Sequence, residues 1–141
     1  MDYLRSFSIS AAGMAIERTR VEVASLNLAN VHTVQSPGQP AYRPSRVVTQ
    51  GVGFGAQFAE ASGLTAMPLA AVEPAGTPAR MVLDPGHPFA DARGFVAYPG
   101  VDPATEMVTL MGAARSYEAN VAALNTARAL ALKTLEIGRS S

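Results

Sequence analysis

Apolar positions near the C-terminus recur at alternating steps of three and four. Counting from Met107, the steps reach Leu110, Ala114, Tyr117, Val121, Leu124, Arg128, Ala131 and Leu135, and eight of these nine are apolar or aromatic. That spacing draws one stripe along a helix that winds against another helix. Asp102 and Pro103 make a good start for it, a carboxylate for the N-cap and then a residue whose φ is already helical. Glu106 and Lys133 put charges of the favourable sign in the first and last turns, and Gly138 suits the stop. The predicted helix has about 35 residues and a length of roughly 50 Å. At the other end, Leu4, Phe7, Ala11, Met14, Arg18, Val21, Ser25 and Leu28 repeat the spacing, with Arg18 and Ser25 as exceptions. Ile9, Ile16 and Val23 lie on an adjacent stripe, so the apolar face is wider than one seam. Asn30 and the break before Pro37 close this helix.

Between the helices the pattern shortens. Arg46–Gln50, Ala79–Leu83 and Gly94–Tyr98 are β-branched or aromatic runs that stop near Gly, Pro or Asp, which predicts three short strands. Asp84-Pro85-Gly86-His87-Pro88 is a rigid turn between the last two. Gly51–Thr77, rich in Gly and Ala, shows no period and is expected to be a mobile loop. All ten prolines fall between Pro37 and Pro103, together with nine of the twelve glycines. Proline inside a helix costs about 3 kcal/mol, so long helices are confined to the two ends. The expected organisation is an N-terminal helix over 1–31, a β-rich middle over 32–101 with a flexible 51–78, and a C-terminal helix over 102–141. The class is α+β, with long terminal helices forming a coiled-coil-like pair or an inter-subunit bundle around a small β-rich domain.

A closed intramolecular hairpin and helices shared among chains both satisfy these stripes. The C-terminal stripe is longer than the N-terminal one, and Met111, Leu132 and Ile137 beside it, like Ile9, Ile16 and Val23, exceed what one hairpin covers. Surplus apolar surface of this kind marks an interaction site and favours sharing. The positions expected at the interfaces are Leu4, Phe7, Met14, Val21, Leu28, Met107, Leu110, Ala114, Tyr117, Val121, Leu124 and Leu135.

Composition trims the alternatives. Eleven basic and eleven acidic residues cancel, neither sign forms a run, and only one of the eleven basic residues is Lys. That distribution argues against nucleic acid or an anionic membrane as a partner. There is no cysteine, which removes disulfides, thiolate catalysis and most zinc sites. The apolar stretch Phe7–Ile16 is interrupted by Ser and Gly and followed by Glu17, Arg18 and Arg20, so it reads as mature sequence and not as a cleaved signal. No stretch approaches the roughly 20 apolar residues of a membrane span.

Catalytic apparatus is not visible. Gly51-Val52-Gly53-Phe54-Gly55-Ala56 formally fits a dinucleotide fingerprint, but Gly63 and the prolines at 68, 74 and 78 deny it the helix that must follow. A flexible Gly-rich turn accounts for it. His32 and His87 have no second His or Cys at ligand spacing, and Asp84 with His87 is read as shaping its loop. No cofactor or metal is expected. Arg18 and Arg128 on the seams either lay their stems along the helix with their heads at the rim, or fix register against a neighbouring carboxylate. Alanines at 113, 114, 119, 122, 123, 127, 129 and 131 favour helix and permit close approach of a second one.

Particular residues go beyond pattern. Ala24-Ser25-Leu26-Asn27-Leu28-Ala29-Asn30, closing the first helix, resembles the signature of the axial proteins of the bacterial flagellum, its rod and hook subunits. Tyr42-Arg43 is similar to the tyrosine-basic pair that follows it in rod proteins. The run Asp84 to Pro88, then Ala90-Asp91, Gly94-Phe95-Val96 and Tyr98-Pro99, resembles that family's proximal-rod members more specifically. So do Val101-Asp102 leading into Glu106-Met107-Val108, Ala114-Arg115-Ser116-Tyr117-Glu118-Ala119-Asn120 and Lys133-Thr134-Leu135. Gly100 stands where Asn is common, and residues 51–78 match poorly. The motif residues carried over are Ala24, Ser25, Asn27, Leu28, Ala29, Asn30, Arg115, Tyr117 and Asn120.

The resemblance implies a structural subunit of the proximal rod, without enzymatic activity. It would leave the cytoplasm through the flagellar type III export apparatus, uncleaved, and polymerise helically in the periplasmic space. Its terminal helices would line the tube and transmit torque. Its partners would be other copies of itself, other rod subunits and the adaptor joining the rod to the MS ring. The alternatives are another rod subunit, or a soluble helical-hairpin adaptor module.

Overall fold

A computed structural model describes residues 3–36, 38–50 and 69–139, with side chains at all of these except 3–5, 50, 69 and 139. The Leu4 side chain, Pro37, the Gly51–Ala56 run, Gly63 and Pro68 therefore lie outside the described residues. The elements in chain order are α1 (Tyr3–Ala29), β1 (Ser45–Gln50), β2 (Leu69–Pro74), β3 (Arg80–Leu83), β4 (Phe95–Tyr98) and α2 (Pro103–Arg139). Two long helices thus flank a small β region, an α+β arrangement.

α1 runs for 27 residues without a proline. Its end is built by Asn30, whose amide nitrogen donates to the Leu26 carbonyl at 2.8 Å while its backbone N–H reaches the same oxygen at 3.1 Å. Thr33 then closes a further turn onto Asn30, its N–H meeting the carbonyl at 3.0 Å and its hydroxyl the side-chain oxygen at 3.1 Å. Carbonyls left open by the last helical turn are satisfied in this way before the chain leaves. α2 has 37 residues and starts as its sequence indicates. Asp102 Oδ1 accepts from the Ala104 N–H at 3.2 Å, Oδ2 accepts from the Thr105 N–H at 3.3 Å, and the Thr105 hydroxyl donates to Oδ2 as well. Proline at the first helical position wastes no hydrogen bond, because that N–H would have no partner. Gly138 does not end the helix, which continues to Arg139.

The strands form two separate pairs, β1 with β2 and β3 with β4. In the second pair, antiparallel, Arg80 faces Tyr98, Met81 faces Ala97, Val82 faces Val96 and Leu83 faces Phe95. Alternation puts Val82 and Val96 on one face, and Val96 is 0 % exposed. Met81 and Leu83, on the other face, are exposed. The Asp84–Pro88 turn is real: the His87 N–H donates to the Asp84 carbonyl at 3.2 Å, and the Asp84 N–H to the Gly94 carbonyl at 2.9 Å. Gly94 turns the chain back with φ of 81°, a conformation that favours glycine. β2 lies inside Gly51–Thr77, which was expected to be a loop, and is the strand that the sequence does not announce. Its Leu-Ala-Ala-Val core lacks the β-branched run of β1, and pairing with β1 holds it in place.

The chain separates into two compact units. One comprises Arg20–Val48 and Val72–Met111, and so holds the end of α1, most of the strands and the start of α2. It buries Ala24, Asn27, Pro44, Val96 and Pro99. The other comprises Met1–Thr19, Thr49–Ala71 and Gly112–Ser141. Its buried residues are Ile16 and Ala113.

Candidate functional site

The most constrained polar group described is the side-chain amide of Asn27, 1 % exposed near the end of α1. Burying an amide without partners costs about 1–3 kcal/mol. Here the nitrogen donates to the Ser45 carbonyl at 2.8 Å and to Glu106 Oε1 at 3.0 Å. The oxygen accepts from the Tyr42 hydroxyl at 3.0 Å and from the Ser45 N–H at 3.1 Å. A primary amide has two donor hydrogens and two acceptor lone pairs, and all four are used. Three stretches of chain meet on this one side chain: the last turns of α1, the extended run into β1, and the first turn of α2.

Each partner is placed by its own local chemistry. The cap made by Asp102 fixes where α2 begins and so where Glu106, four residues later, emerges. Two bonds from Ser45, one through its N–H and one through its carbonyl, pin the extended backbone to the helix. Pro44 is buried next to them. The Tyr42 hydroxyl has its pKa pushed above the usual tyrosine range, first by burial and then by the negative charge of Glu106. It therefore stays a proton donor to Asn27 throughout the ordinary pH range.

A second set of bonds shapes the turn before β4. Asp91 Oδ1 accepts from the Phe95 N–H at 2.9 Å and the Arg93 N–H at 2.8 Å. The Phe95 bond leads in holding this carboxylate below its ordinary pKa. Asp102 is held low as well, chiefly by the Thr105 hydroxyl and then by the Ala104 N–H. His87 Nδ1 accepts from the Phe89 N–H at 3.1 Å, so this histidine is employed inside its own loop. Tyr98 stands between the His32 ring, edge-on at 6.5 Å, and the Arg80 guanidinium, 5.8 Å from its ring centre.

The motif residues separate by position. Ala24 and Asn27 are buried, Leu28 and Asn30 half-buried, and Ser25 and Ala29 exposed. On α2, Arg115 and Tyr117 are exposed, and Asn120 is half-buried with its side chain against Gly13. A Cβ placed on Gly13 would come within 3.1 Å of the Asn120 amide, so the glycine admits that side chain. Among the stripe positions, Phe7, Met14, Val21, Leu28, Leu110, Ala114, Val121 and Leu124 are half-buried. Met107 is 53 %, Tyr117 40 % and Leu135 72 % exposed. The fully buried positions Ile16, Ala24 and Asn27 on α1, and Ala113 on α2, lie beside the counted stripes and not on them. Arg18 and Arg128 are exposed. Periodicity missed Tyr42 and Glu106 as partners of Asn27, since no local spacing connects residue 27 to residue 106.

Chemically, this arrangement holds segments together. Asn27 has no bonding capacity left for a ligand, and it carries neither a nucleophile nor a titrating group. Among the described residues no group of three His, Asp or Glu side chains could hold a metal ion. No described helix is long and apolar enough to cross a membrane.

Similarity to known proteins agrees with a holding role. A family model described as "Flagellar basal body rod FlgEFG protein C-terminal" matches residues 92–137. The flagellar basal-body rod protein FlgC of Salmonella typhimurium is 40 % identical over 139 residues, covering 99 % of this chain and 100 % of its own. The protein of the same name from Yersinia enterocolitica is 39 % identical with the same coverage. That from Bacillus subtilis is 33 % identical over 150 residues, again covering 99 % of this chain and 100 % of its own.

Proposed function

This chain belongs to the FlgC family of flagellar basal-body rod proteins, and from that premise we propose that its terminal helices are the parts through which it polymerises. It is a structural subunit of the basal-body rod and associates with other rod subunits. The observation that supports the helices as the joining parts is the apolar surface they leave uncovered. Leu130, Leu132, Leu135 and Ile137 are all more than half exposed over the last turns of α2, and Met107, Val108 and Met111 over the first. Surface of this size on a single chain is what a further helix would remove from water.

In the finer reading, the subunit sits in the proximal rod within the periplasmic space and polymerises helically. Its helices enclose the export channel and transmit torque. It travels through the flagellar type III export apparatus without cleavage and contacts the adaptor between rod and MS ring, as well as copies of itself. Its function is mechanical and uses no cofactor.

The test is incorporation. A strain lacking this chain is complemented with the natural protein or with charged variants in the exposed stripe of α2, and basal bodies are isolated. Rods that contain the natural chain but not the variants support the reading. Normal incorporation of every variant would assign assembly to other surfaces. Circular dichroism separates the adaptor alternative: a closed hairpin is fully helical when dilute, whereas shared helices gain structure on association.

A further inference from the structure

We propose that Asn27 is a register lock, a buried polar group that selects one axial setting of α2 against α1. The inference concerns the unit containing Arg20–Val48 and Val72–Met111, and it stands apart from any reading of assembly.

The helix surfaces around Asn27 are poorly suited to choosing a register by shape. On α1 the neighbouring positions on this face are Val23 and the fully buried Ala24. Where the side chain a turn before Asn27 is only a methyl group, shape contributes little to fixing the setting. Apolar packing of this kind loses uniqueness before it loses compactness. A polar group that is satisfied in one setting alone provides the missing selection, as a single buried Asn does in coiled coils.

The one other carboxylate within a turn of Glu106 is Asp102, at the cap of α2. Four residues after Glu106 comes Leu110, which offers no acceptor. Three residues after it comes Thr109, whose hydroxyl donates to the Thr105 carbonyl at 2.9 Å and leaves only a neutral oxygen to accept. One turn before it are Pro103 and Asp102, and both Asp102 oxygens serve the helix cap. On α1, Ala24 and Val23 precede Asn27 by a turn, and three residues after it the Asn30 amide is engaged at the helix end by the Leu26 carbonyl and the Thr33 hydroxyl. A slip in either direction therefore takes the amide away from the Glu106 carboxylate and offers in its place an apolar side chain, a neutral hydroxyl oxygen or a carboxylate already holding the helix cap. The Ser45 and Tyr42 bonds extend the same demand to the chain entering β1, so one side chain checks three placements together.

The experiment uses the full chain, labelled with nitrogen-15, and counts amide resonances from Ser45, Glu106 and their neighbours. The natural chain and Glu106→Gln, which keeps an acceptor oxygen, are expected to give one set of peaks. Asn27→Leu and Glu106→Leu remove the polar demand from one side, and two or more sets are expected with helical circular dichroism retained. A single native-like set in Asn27→Leu overturns the proposal. If Asn27→Leu does not fold, Glu106→Leu decides: several sets support the lock, and one native-like set overturns it. Loss of fold in both also overturns it, because a lock that only sorts registers costs uniqueness first. Multiple sets in Glu106→Gln would likewise overturn it, since the acceptor is still present.

Discussion

Asn27 Nδ2 lies 3.0 Å from Glu106 Oε1, a contact between residues 79 apart in sequence. Asn27→Asp keeps the shape and reverses the chemistry. Two donors are lost, and a carboxylate is set against that of Glu106 in a half-buried site. A cost of about 3 kcal/mol is expected in urea denaturation at neutral pH. Adding Glu106→Gln returns a donor across the contact and should restore part of the loss, the Ser45 carbonyl still lacking its donor. Unchanged stability of the single variant would show that this contact contributes nothing.

The Tyr42 hydroxyl predicts an alkaline dependence. Its pKa is raised in the folded chain above the ordinary value of 10.0, so the unfolded chain releases this proton first. The stability it contributes is complete below that ordinary value and is lost as pH rises through the folded one. Melting temperature should fall from about pH 10 upward, and Tyr42→Phe should flatten that part of the curve. Equal slopes for the two chains would remove Tyr42 from the linkage.

Gly100 accepts no side chain. A Cβ there would sit 2.2 Å from the Pro78 carbonyl oxygen, and a backbone atom cannot swing aside. Gly100→Ala should lose about 1–3 kcal/mol of stability by thermal or urea unfolding, and Gly100→Asn at least as much. A stable Gly100→Asn variant would show that the Pro78 carbonyl can move out of the way.

Helices, class and three of the four strands were legible because their causes are local. Asp102-Pro103 announces a start, proline excludes helix from the middle, and Val82 and Val96 alternate with their neighbours as strands should. Within the chain, the buried line on α1 runs through Ile16, Ala24 and Asn27, beside the residues of the counted stripe. An Ala-rich helix blurs that choice, since alanine is apolar on every face. What sequence could not show was the meeting at Asn27. Tyr42 reads as half of a motif pair and Glu106 as a first-turn charge, and only the folded path makes them neighbours.

Charged substitutions on α2 should separate folding from assembly. Leu135 is 72 % exposed, so Leu135→Asp is expected to leave the melting temperature of the isolated chain within a degree or two while removing it from isolated rods. Leu124 and Val121 are half-buried, and Asp at either should lower both. Full incorporation of Leu135→Asp would place the joining surface elsewhere. Deleting residues 132–141 should abolish incorporation by the same logic.

The separation of 79 positions between Asn27 and Glu106 also sets a timetable. Closing a loop of that length costs about 4 kcal/mol of chain entropy before any contact repays it. The four bonds of the amide cannot all exist until residue 106 is present, so a chain interrupted upstream of it retains an unpaired polar group and has little reason to settle. Late closure leaves the first helix without its Glu106 partner until 106 of the 141 residues are present.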